Sequence, residues 1–433
     1  MDKEKKIFVF ADFQPYHEEI IGTIYVSQTR GKEFYSFEYD QKWLEKGNMI
    51  LDPDLQMYKG RQYIHDDKKI FGVFADSCPD RWGQRLMKRR EELRAKNAGE
   101  KPRKLLDSDY LLGVYDEARM GGLRFKTELE GEFLSNDREF ATPPWTSLRE
   151  LEQASIAFEN DEKGLNEKWL KQLLAPGSSL GGARPKASVL ATDGSLWIAK
   201  FPSKHDDFNS GAWEMVVHEL AVMCGLNVPE AKAEKFSRLG TTFLVKRFDR
   251  IESRRIHFSS AMTMLGKKDG ANAADGSSYL EIVSFLKANG ATPKKDIQEL
   301  WKRIVFSMAV SNTDDHFRNH GFILEEKGWV LSPMYDVNPD IYGEFLSLNV
   351  DEDNSAIDFD LAIEAAPYYE ISTEQAKKNV TAIRKTVADN WRSLAGKYGI
   401  SRGEIERMCP AFQGDVWICK RQGCCEIIKN PCC

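Results

Sequence analysis

The sequence predicts an α+β fold with a β-rich amino-terminal part and a mainly helical carboxy-terminal part. Three observations support this prediction. Residues 1–60 alternate short apolar runs with turns, which is typical of an antiparallel sheet. Residues 178–203 have the pattern of a loop followed by two strands around a tight turn. After about residue 275 the apolar spacing is helical, apart from the region around 320–335.

The first predicted strands lie in the runs KIFVFADF, IGTIYV and FYSFEYD. From Asp80 the run DRWGQRLMKRREELRAKN spaces Trp82, Leu86 and Leu93 along one side of a predicted helix. The run DSDYLLGVYD resembles a helix start with an Asp or Ser cap. Two prolines in ATPPWTSL, residues 141–148, disfavour helix and sheet and predict a linker, after which residues 150–174 again have a helical pattern.

The central part of the chain continues with strands and one helix. The turn TDGS places Gly194 where a positive φ is needed between two strands. The amphipathic run GAWEMVVHELAVMCGL predicts a helix that ends at Gly225, and TTFLVKRFDR predicts a further strand. The chain therefore divides into a β-rich segment 1–140, a second segment 141–250, a helical segment 251–408 and a tail 409–433.

Length and composition are those of a soluble globular protein of two or three structural units. The 433 residues are 42% hydrophobic and 30% charged, with a net charge of -6 that does not indicate a nucleic-acid binder, although local basic patches are compatible with it. No run of 18 or more apolar residues appears, and the first residues lack the apolar stretch of a signal peptide.

Six of the eight cysteines fall in the last 25 residues, at Cys409, Cys419, Cys424, Cys425, Cys432 and Cys433. A secreted disulfide framework would distribute its cysteines over the whole fold, so we expect a cytosolic protein. The tail could bind a soft metal, but its paired cysteines lack the usual C-x-x-C spacing. An unordered or non-native extension is the simpler interpretation.

The glycine-containing stretch SSLGGARPK resembles a loop that contacts phosphate. It places Ser178, Gly181 and Gly182 before a predicted strand, and glycines let backbone N–H groups approach phosphate oxygens. It matches neither the Walker A pattern nor G-x-G-x-x-G, so an ordinary turn is the alternative.

A lysine and two glutamates follow this loop. Lys200 ends a strand and shares a face with apolar side chains, which is costly without an anionic partner such as phosphate. Glu214 or Glu219 on the next helix could pair with it, as a helix glutamate does in protein kinases. The alternatives are a lysine that extends into water and a solvated helix face.

The stretch SNTDDHFRNHGFIL, residues 311–324, carries the strongest signal. Asp314 and Asn319 are five positions apart, as are the catalytic Asp and the metal-binding Asn in the catalytic loop of protein kinases. The Asp would accept or orient the proton of a substrate hydroxyl, and the Asn amide oxygen would bind Mg²⁺.

The next residues predict a strand, a turn and a strand that bring Asp336 back to this loop as the main Mg²⁺ carboxylate. Two alternatives compete. Asp314 and Asp315 could cap a helix near Asn312 and Thr313. His316 and His320 have a spacing that suits zinc, but the sequence lacks the H-E-x-x-H pattern and Gly321 breaks the helix.

Taken together, these motifs resemble those of the HipA family of bacterial serine/threonine kinase toxins. The resemblance extends to about residue 400. FYSFEYDQKWL, FADSCPDRWGQRLMKRR and DYLLGVYDEARMGGLRF look like its amino-terminal segments. SSLGGARPKASVL, WIAKFPS, LVKRFDR, SNTDDHFRNHGFIL and LSPMYDVNP look like its kinase motifs. The resemblance implies a two-lobed protein-kinase fold.

The resemblance also implies a role for each matching residue. Asp314 would be the catalytic base, and Asn319 and Asp336 would hold Mg²⁺. Ser179 would be autophosphorylated, and the added negative charge should repel nucleotide and displace the loop. The residues implied to bind ATP are Gly181, Gly182, Ala183, Arg184, Pro185, Lys186, Lys200, Lys246, Arg247, Phe248, His316, Phe317, Arg318, Asn319, Tyr335 and Asp336.

The family further implies ATP and Mg²⁺ as cofactors and a helix-turn-helix antitoxin dimer, similar to HipB, as partner. It implies contact with operator DNA through that complex, a bacterial cytoplasmic or nucleoid-associated location, and glutamyl-tRNA synthetase as the usual target. A small-molecule kinase and a non-catalytic DNA-bound co-repressor are the alternatives. The basic helical run 377–397 could contact DNA phosphates, or it could be a solvated face.

Overall fold

The computed structural model describes residues 4–46, 50–64, 68–138, 141–160, 173 and 182–412. The chain forms two compact units. The first comprises Met1–Lys204, Leu244–Asp269 and Gly321–Glu326, and the second comprises His205–Phe243, Gly270–His320 and Lys327–Cys433. Both contain helices and strands, which confirms the predicted α+β class.

The first unit contains most of the strands. They are β1 Lys5–Ala11, β2 Glu19–Thr29, β3 Lys32–Tyr39, β4 Gln62–Tyr63, β5 Leu123–Lys126, β6 Lys186–Leu190, β7 Leu196–Lys200, β10 Arg250–Ile251, β11 Arg254–Arg255, β12 Phe258–Ser260 and β13 Gly321–Glu325. Its helices are α1 Gln41–Lys46, α2 Gly72–Ala75, α3 Arg81–Ala98, α4 Asp107–Leu112, α5 Leu148–Glu159 and α7 Ala261–Met264. β9 Thr242–Lys246 begins in the second unit and ends in the first.

The predicted amino-terminal sheet is confirmed as an antiparallel five-stranded sheet in the order β4-β3-β2-β1-β5. Alternation along β1 buries Ile7 and Val9, and the sheet packs on a cluster that includes Phe37, Phe71 and Phe74. Helix α3 begins where predicted, because the Asp80 side chain accepts a hydrogen bond from Gly83 N at 2.9 Å.

Two local predictions in this unit were wrong. Residues 141–148 do not form a linker: Leu190 N donates to Pro143 O at 2.9 Å, and the rings of Trp145 and Trp197 lie edge to face at 5.3 Å. The prolines end regular structure, but the segment packs against the strands.

Helix α4 is not capped by an Asp or Ser at its start. Leu106 holds the cap position, and its N–H donates to the Asp109 carboxylate at 2.9 Å.

A buried ionic cluster lies at the end of β9, and we call it the Asp249 cluster. The Asp249 carboxylate accepts hydrogen bonds from Arg247 Nη2 at 2.6 Å, Arg250 Nη1 at 2.6 Å and Gly121 N at 2.8 Å. Burial acts to raise the pKa of Asp249, but the two guanidinium groups outweigh it and hold that pKa far below its usual value. The cluster therefore connects residues 118–121 to the segment after β9.

The second unit is mainly helical, as predicted for the chain after residue 275. Its helices are α6 Ser210–Met223, α8 Tyr279–Asn289, α9 Pro293–Ala309, α10 Phe359–Ala365, α11 Thr373–Lys397 and α12 Arg402–Met408, with strands β8 Ala231–Glu234 and β14 Gly328–Leu331. Gly225 follows α6 at a φ of 72°, the left-handed conformation that is typical of a residue just after a helix end.

Helix α9 is the central element of this unit. Pro293 occupies its first position, where a missing N–H costs nothing. Its residues Leu300, Trp301 and Ile304 are fully buried, and Trp301 Nε1 donates to Ala362 O at 2.9 Å. Because α9 is held on several sides, it provides a rigid base for the loop that begins at its carboxyl end.

Candidate active site

The loop from Ser311 to His320 follows α9 directly and contains no regular helix. Asn312 joins it to the helix end, because its backbone N–H donates to Ser307 O at 2.8 Å. Ser311 has a positive φ of 49°, a conformation uncommon for residues other than glycine. The two aspartates therefore do not cap a helix here, and the capping alternative is wrong.

Asp315 anchors the loop to helix α8. Its side chain is 4% exposed, its Oδ2 accepts a hydrogen bond from Tyr279 Oη at 2.8 Å, and its Oδ1 lies 3.0 Å from His320 Nε2. Burial acts to raise the pKa of Asp315, but His320 and the Tyr279 hydroxyl outweigh it, so the pKa is lowered. A carboxylate with this many partners is suited to holding a loop rather than to exchanging protons.

Asp314, the residue before Asp315, is exposed instead of buried. Its side chain is 85% exposed, and its Oδ1 lies 3.7 Å from His316 Nε2. The pKa of Asp314 is raised by loss of solvent in the loop and by the negative charge of Asp336, while His316 opposes the rise. An accessible carboxylate with a raised pKa has the properties of a general base.

Asn319 is oriented by the same loop. Its Nδ2 donates to the backbone oxygen of Asp314 at 2.7 Å, and its backbone N–H donates to His316 O at 2.8 Å. Its Oδ1 is buried and has no hydrogen-bond partner. A buried acceptor without a partner is costly, and a bound cation or donor would offset that cost.

Asp336 lies beside this loop because its own segment is bonded to the loop along its length. Four hydrogen bonds join residues 335–340 to residues 311–318. Their pairs are Tyr335 Oη to Arg318 O at 2.8 Å, Asn338 N to Asn312 Oδ1 at 3.2 Å, Asp340 N to Ser311 O at 3.0 Å and Thr313 Oγ1 to Asp340 Oδ2 at 2.8 Å. Asp336 has a φ of 58°, and such backbone conformations are concentrated at functional sites.

The residues Asp314, His316, Asn319, Tyr335 and Asp336 are thus brought together in one unit. The available donors are carboxylate and amide oxygens, the ligands that Mg²⁺ prefers, and they fit that ion. Within the described ranges no group of three His, Cys, Asp or Glu side chains could hold a metal by itself, so water or substrate oxygens would have to complete the coordination. His320 packs on Tyr279 and Asp315, while His316 faces Asp314.

In the first unit, Lys186 and Lys200 are directly opposite each other on the paired strands β6 and β7. Both are buried, at 5% and 7% exposed, and Lys186 Nζ lies 2.7 Å from Asp80 Oδ2. Two lysines therefore lie side by side at one end of this hairpin, and the Asp80 carboxylate compensates the charge of one of them. Gly182, four residues earlier, has a φ of 84°, so the loop before β6 takes a conformation that favours glycine.

The segment Lys246 to Phe248 follows β9 in the same unit. The Arg247 N–H already donates to Leu196 O at 2.9 Å, and its guanidinium is bound within the Asp249 cluster. Neither of these two Arg247 groups remains for an adenine base. Phe248 is half-buried and packs on Phe258 at 5.7 Å between ring centroids.

The two helix glutamates differ. Glu219 is bound inside its own unit by Lys397 Nζ at 2.6 Å and by the Tyr398 hydroxyl. Glu214 is buried, at 5% exposed. Glu219 is therefore occupied by residues of its own unit, and a pairing of Glu214 with Lys200 stays a prediction.

Several predicted residues lie outside the described part of the chain. Ser178, Ser179 and Gly181 belong to this group, as do the cysteines after Cys409. Three participants were not predicted: Asp80 as the partner of Lys186, and Thr313 and Asp340 as the bond between the loop and the Asp336 segment. The pairs are far apart in sequence, so no local pattern could identify them.

The fold and the site together define a protein of the kinase-like class, with the catalytic-loop residue order of protein kinases. Two family models match the chain: the HipA N-terminal domain at residues 16–102 and the HipA-like C-terminal domain at residues 178–391. The chain belongs to the HipA family.

The chain is also similar to individual proteins in sequence and in fold. The chain is 28% identical over 182 residues to "Putative kinase Y4mE" and 27% identical over 205 residues to "Putative kinase Y4dM", both of Sinorhizobium fredii. These matches cover 37% and 44% of this chain and 41% and 44% of those relatives. The chain also has the fold of HipA from Shewanella oneidensis, solved with HipB and operator DNA, at a TM-score of 0.65 and 17% identity over 96% of this chain and 97% of that one.

Proposed function

We propose that this protein is an ATP- and Mg²⁺-dependent serine/threonine protein kinase that acts as the toxin of a toxin–antitoxin pair. One observation carries the proposal: Asn319 has a buried amide oxygen without a hydrogen-bond partner, and its amide nitrogen is bonded to the backbone of the exposed residue Asp314. A metal ligand and a proton acceptor fixed by one hydrogen bond are what phosphoryl transfer to a hydroxyl requires.

In this proposal each residue has one task. Asp314 accepts the proton of the attacking serine or threonine hydroxyl, and Asp315 holds the loop in position. Asn319 and Asp336 would hold Mg²⁺, which would supply charge neutralisation for the phosphates of ATP. Lys200 and Lys186, with the loop from Gly181 to Pro185, would hold the phosphates, and the Lys246–Phe248 segment would face the base. His316, Phe317, Arg318 and Tyr335 would line the site.

A polypeptide substrate is favoured over a small molecule by the loop beside Thr313. Ser347 Oγ donates to Thr313 O at 2.7 Å, and the Cα of Gly343 packs against the Thr313 side chain so closely that a Cβ would lie 2.2 Å from it. This loop exposes Tyr342 at 81% and Phe345 at 59%. Two exposed aromatic rings beside a catalytic loop suit contact with another protein.

The finer parts of the proposal concern partners. We propose an antitoxin dimer similar to HipB and operator DNA as partners of the complex, because the Shewanella relative was solved with both. We also propose autophosphorylation of Ser179 and glutamyl-tRNA synthetase as the target, on the family resemblance alone.

Labelled ATP tests the proposal. The purified protein with Mg²⁺ should transfer label to itself and to a protein in a bacterial extract, and Asp314→Ala should reduce transfer about 10²- to 10⁴-fold while ATP binding persists. Asp389→Ala, an exposed change on α11, is the matched control and should retain full transfer. Undiminished transfer by Asp314→Ala would contradict the proposal, and label appearing only in small molecules would favour a small-molecule kinase.

A further inference from the structure

A wide groove in the first unit has no part in the proposed reaction. Its volume is about 1210 Å³. Its walls come from the start of β3, from the residues around Tyr63, from one face of α3 and from the segment 102–110. All these elements belong to one unit, and none contains a residue assigned above to catalysis or to nucleotide binding.

The groove carries lysines whose charge is not neutralised. Lys32, Lys69, Lys88 and Lys104 line it, all four are exposed, and none forms an ion pair with another described residue. Burial raises the pKa of Asp107 while Lys69 and Lys104 oppose that rise, which places both ammonium groups on the side of the groove near Asp107.

The acidic residues of the groove are mostly engaged elsewhere. The Glu33 carboxylate accepts hydrogen bonds from Ser108 N at 3.0 Å and Ser108 Oγ at 2.6 Å. Glu91 is bound by Arg94 through two contacts of 2.9 Å, and Glu92 by Arg89 at 3.2 Å. Ser108 is neutral, so Glu33 keeps its charge, and Asp107 also lines the groove. The lining nevertheless has more positive than negative side chains: Lys32, Lys68, Lys69, Lys88, Arg103 and Lys104 against Glu33, Glu91, Glu92 and Asp107.

The sequence around α3 strengthens this conclusion. Residues 81–104 contain ten Lys or Arg and three Glu, in a chain whose net charge is -6. Such a concentration of positive charge in an otherwise acidic protein attracts polyanions of any kind, so the choice among them has to come from other groups in the groove.

Two aromatic rings are exposed in the same groove. Phe34 is 56% exposed and Tyr63 is 61% exposed. Exposed rings between lysines are the arrangement by which proteins bind single-stranded nucleic acids: cations contact the backbone and bases stack on the rings. A paired duplex cannot offer its bases for stacking, and an acidic peptide has no base to offer.

We propose that this groove binds single-stranded nucleic acid, with Lys69, Lys88 and Lys104 at the phosphates and with Tyr63 and Phe34 stacked on bases. The proposal is independent of the kinase activity, because the groove shares no residue with it. It also differs from contact with operator DNA, since the occupant is a single strand.

The test uses the full-length protein and a fluorescently labelled oligouridylate of about twelve nucleotides. Fluorescence anisotropy should show binding that weakens steeply between about 50 and 200 mM salt. A duplex of the same length and poly-L-glutamate serve as competitors, and both should compete weakly. Equal competition by poly-L-glutamate, or no binding at low salt, would overturn the proposal.

Variants locate the site. Lys88→Gln with Lys104→Gln should weaken binding and lower the slope of the log affinity against log salt by about 0.7 for each lysine lost. Tyr63→Ala should weaken binding about fivefold or more, and Tyr63→Phe should restore it, because stacking needs only the ring. Lys96→Gln, an exposed change on α3 outside the groove, is the matched control. If binding survives the groove changes, the site is elsewhere and the proposal fails. An unchanged midpoint of urea denaturation for each variant shows that it has folded.

Discussion

The Asp249 cluster and the loop from Ser311 to Asn319 both collect charged and polar groups, but they treat them in opposite ways. In the cluster, Asp249 is fully buried and accepts hydrogen bonds from two arginines and a backbone N–H. In the loop, Asp314 is exposed and the Asn319 oxygen is buried without a partner. The carboxylate of the first arrangement is surrounded by hydrogen-bond donors, and the amide oxygen of the second has none.

The difference separates charged groups that stabilise the fold from charged groups that are available for binding or catalysis. Buried polar groups whose partners are all present make one conformation more favourable than others, as the Asp249 cluster does for the segment after β9. Groups left without partners cost stability, so a fold retains them where a substrate or ion completes the arrangement. Within the loop itself, Asp315 belongs to the first kind and Asp314 to the second.

The largest stability effect should come from breaking the Asp249 cluster. Asp249→Ala leaves two buried guanidinium groups without their carboxylate, and we expect it to lower the free energy of unfolding by about 3–5 kcal/mol. Urea denaturation measures this. Asp389→Ala, which removes an exposed ion pair with Lys385, should leave the midpoint unchanged. A loss under about 1 kcal/mol would mean that the cluster does not hold the segment.

The neighbouring aspartates test the same distinction inside the loop. Asp315→Asn removes a charged acceptor from Tyr279 and Ser307, so the free energy of unfolding should fall by about 1.5–3 kcal/mol. Asp314→Asn should leave it unchanged but abolish phosphate transfer. Urea denaturation and labelled ATP, applied to both variants, check the pair of outcomes; equal stability losses would remove the distinction.

A pH effect of about 2 kcal/mol is expected from His257, a buried residue of the first unit that stacks on Phe13 at 4.7 Å. Burial lowers the pKa of His257 from 6.5 to about 3. The unfolded chain therefore binds a proton below pH 6.5 that the folded chain does not, and stability falls as the pH falls. At pH 5 this amounts to about 2 kcal/mol.

His257→Leu removes that contribution. The free energy of unfolding of the variant should decrease less than that of the natural protein between about pH 7.5 and pH 5. Denaturation curves at both values measure the difference. Identical pH dependence in the two proteins would show that folding does not shift the pKa of His257.

The smallest effect should come from Tyr342, an exposed ring next to the catalytic loop. Tyr342→Ala should leave stability and the KM for ATP unchanged, because the side chain is mostly in water. It should raise the KM for a protein acceptor about two- to tenfold, the range expected for one aromatic contact. Steady-state kinetics would measure both KM values, with the protein that is labelled in the bacterial extract as the acceptor. A change in the KM for ATP alone would contradict the prediction.

Local patterns in the sequence predicted much of the fold. Strands β1 to β3 followed from alternation, α3 from helical spacing behind Asp80, and the loop from the five-residue interval between Asp314 and Asn319. These features depend on neighbours in the chain. The segment around Pro143 was predicted to be a linker, but it packs against a strand. Prolines indicate that a segment does not form a helix or an inner strand, and they give no information on what the segment contacts.

Long-range partners could not be predicted. Lys186 and Asp80 are 106 residues apart, and Tyr279 and Asp315 are 36 apart. Nothing in the adjacent letters Asp314 and Asp315 distinguishes an exposed carboxylate from a buried anchor. That difference arises from which side of the loop packs on α8 and α9, which only the folded chain decides.

The hydrogen bond from the Asn319 amide to the backbone oxygen of Asp314 has a further consequence. It ties the orientation of the ion-binding oxygen to the peptide group of the residue that would take up the proton. A displacement of this peptide would therefore turn both functions off together. A compound that wedged the turn open would silence the protein without having to compete with nucleotide at all.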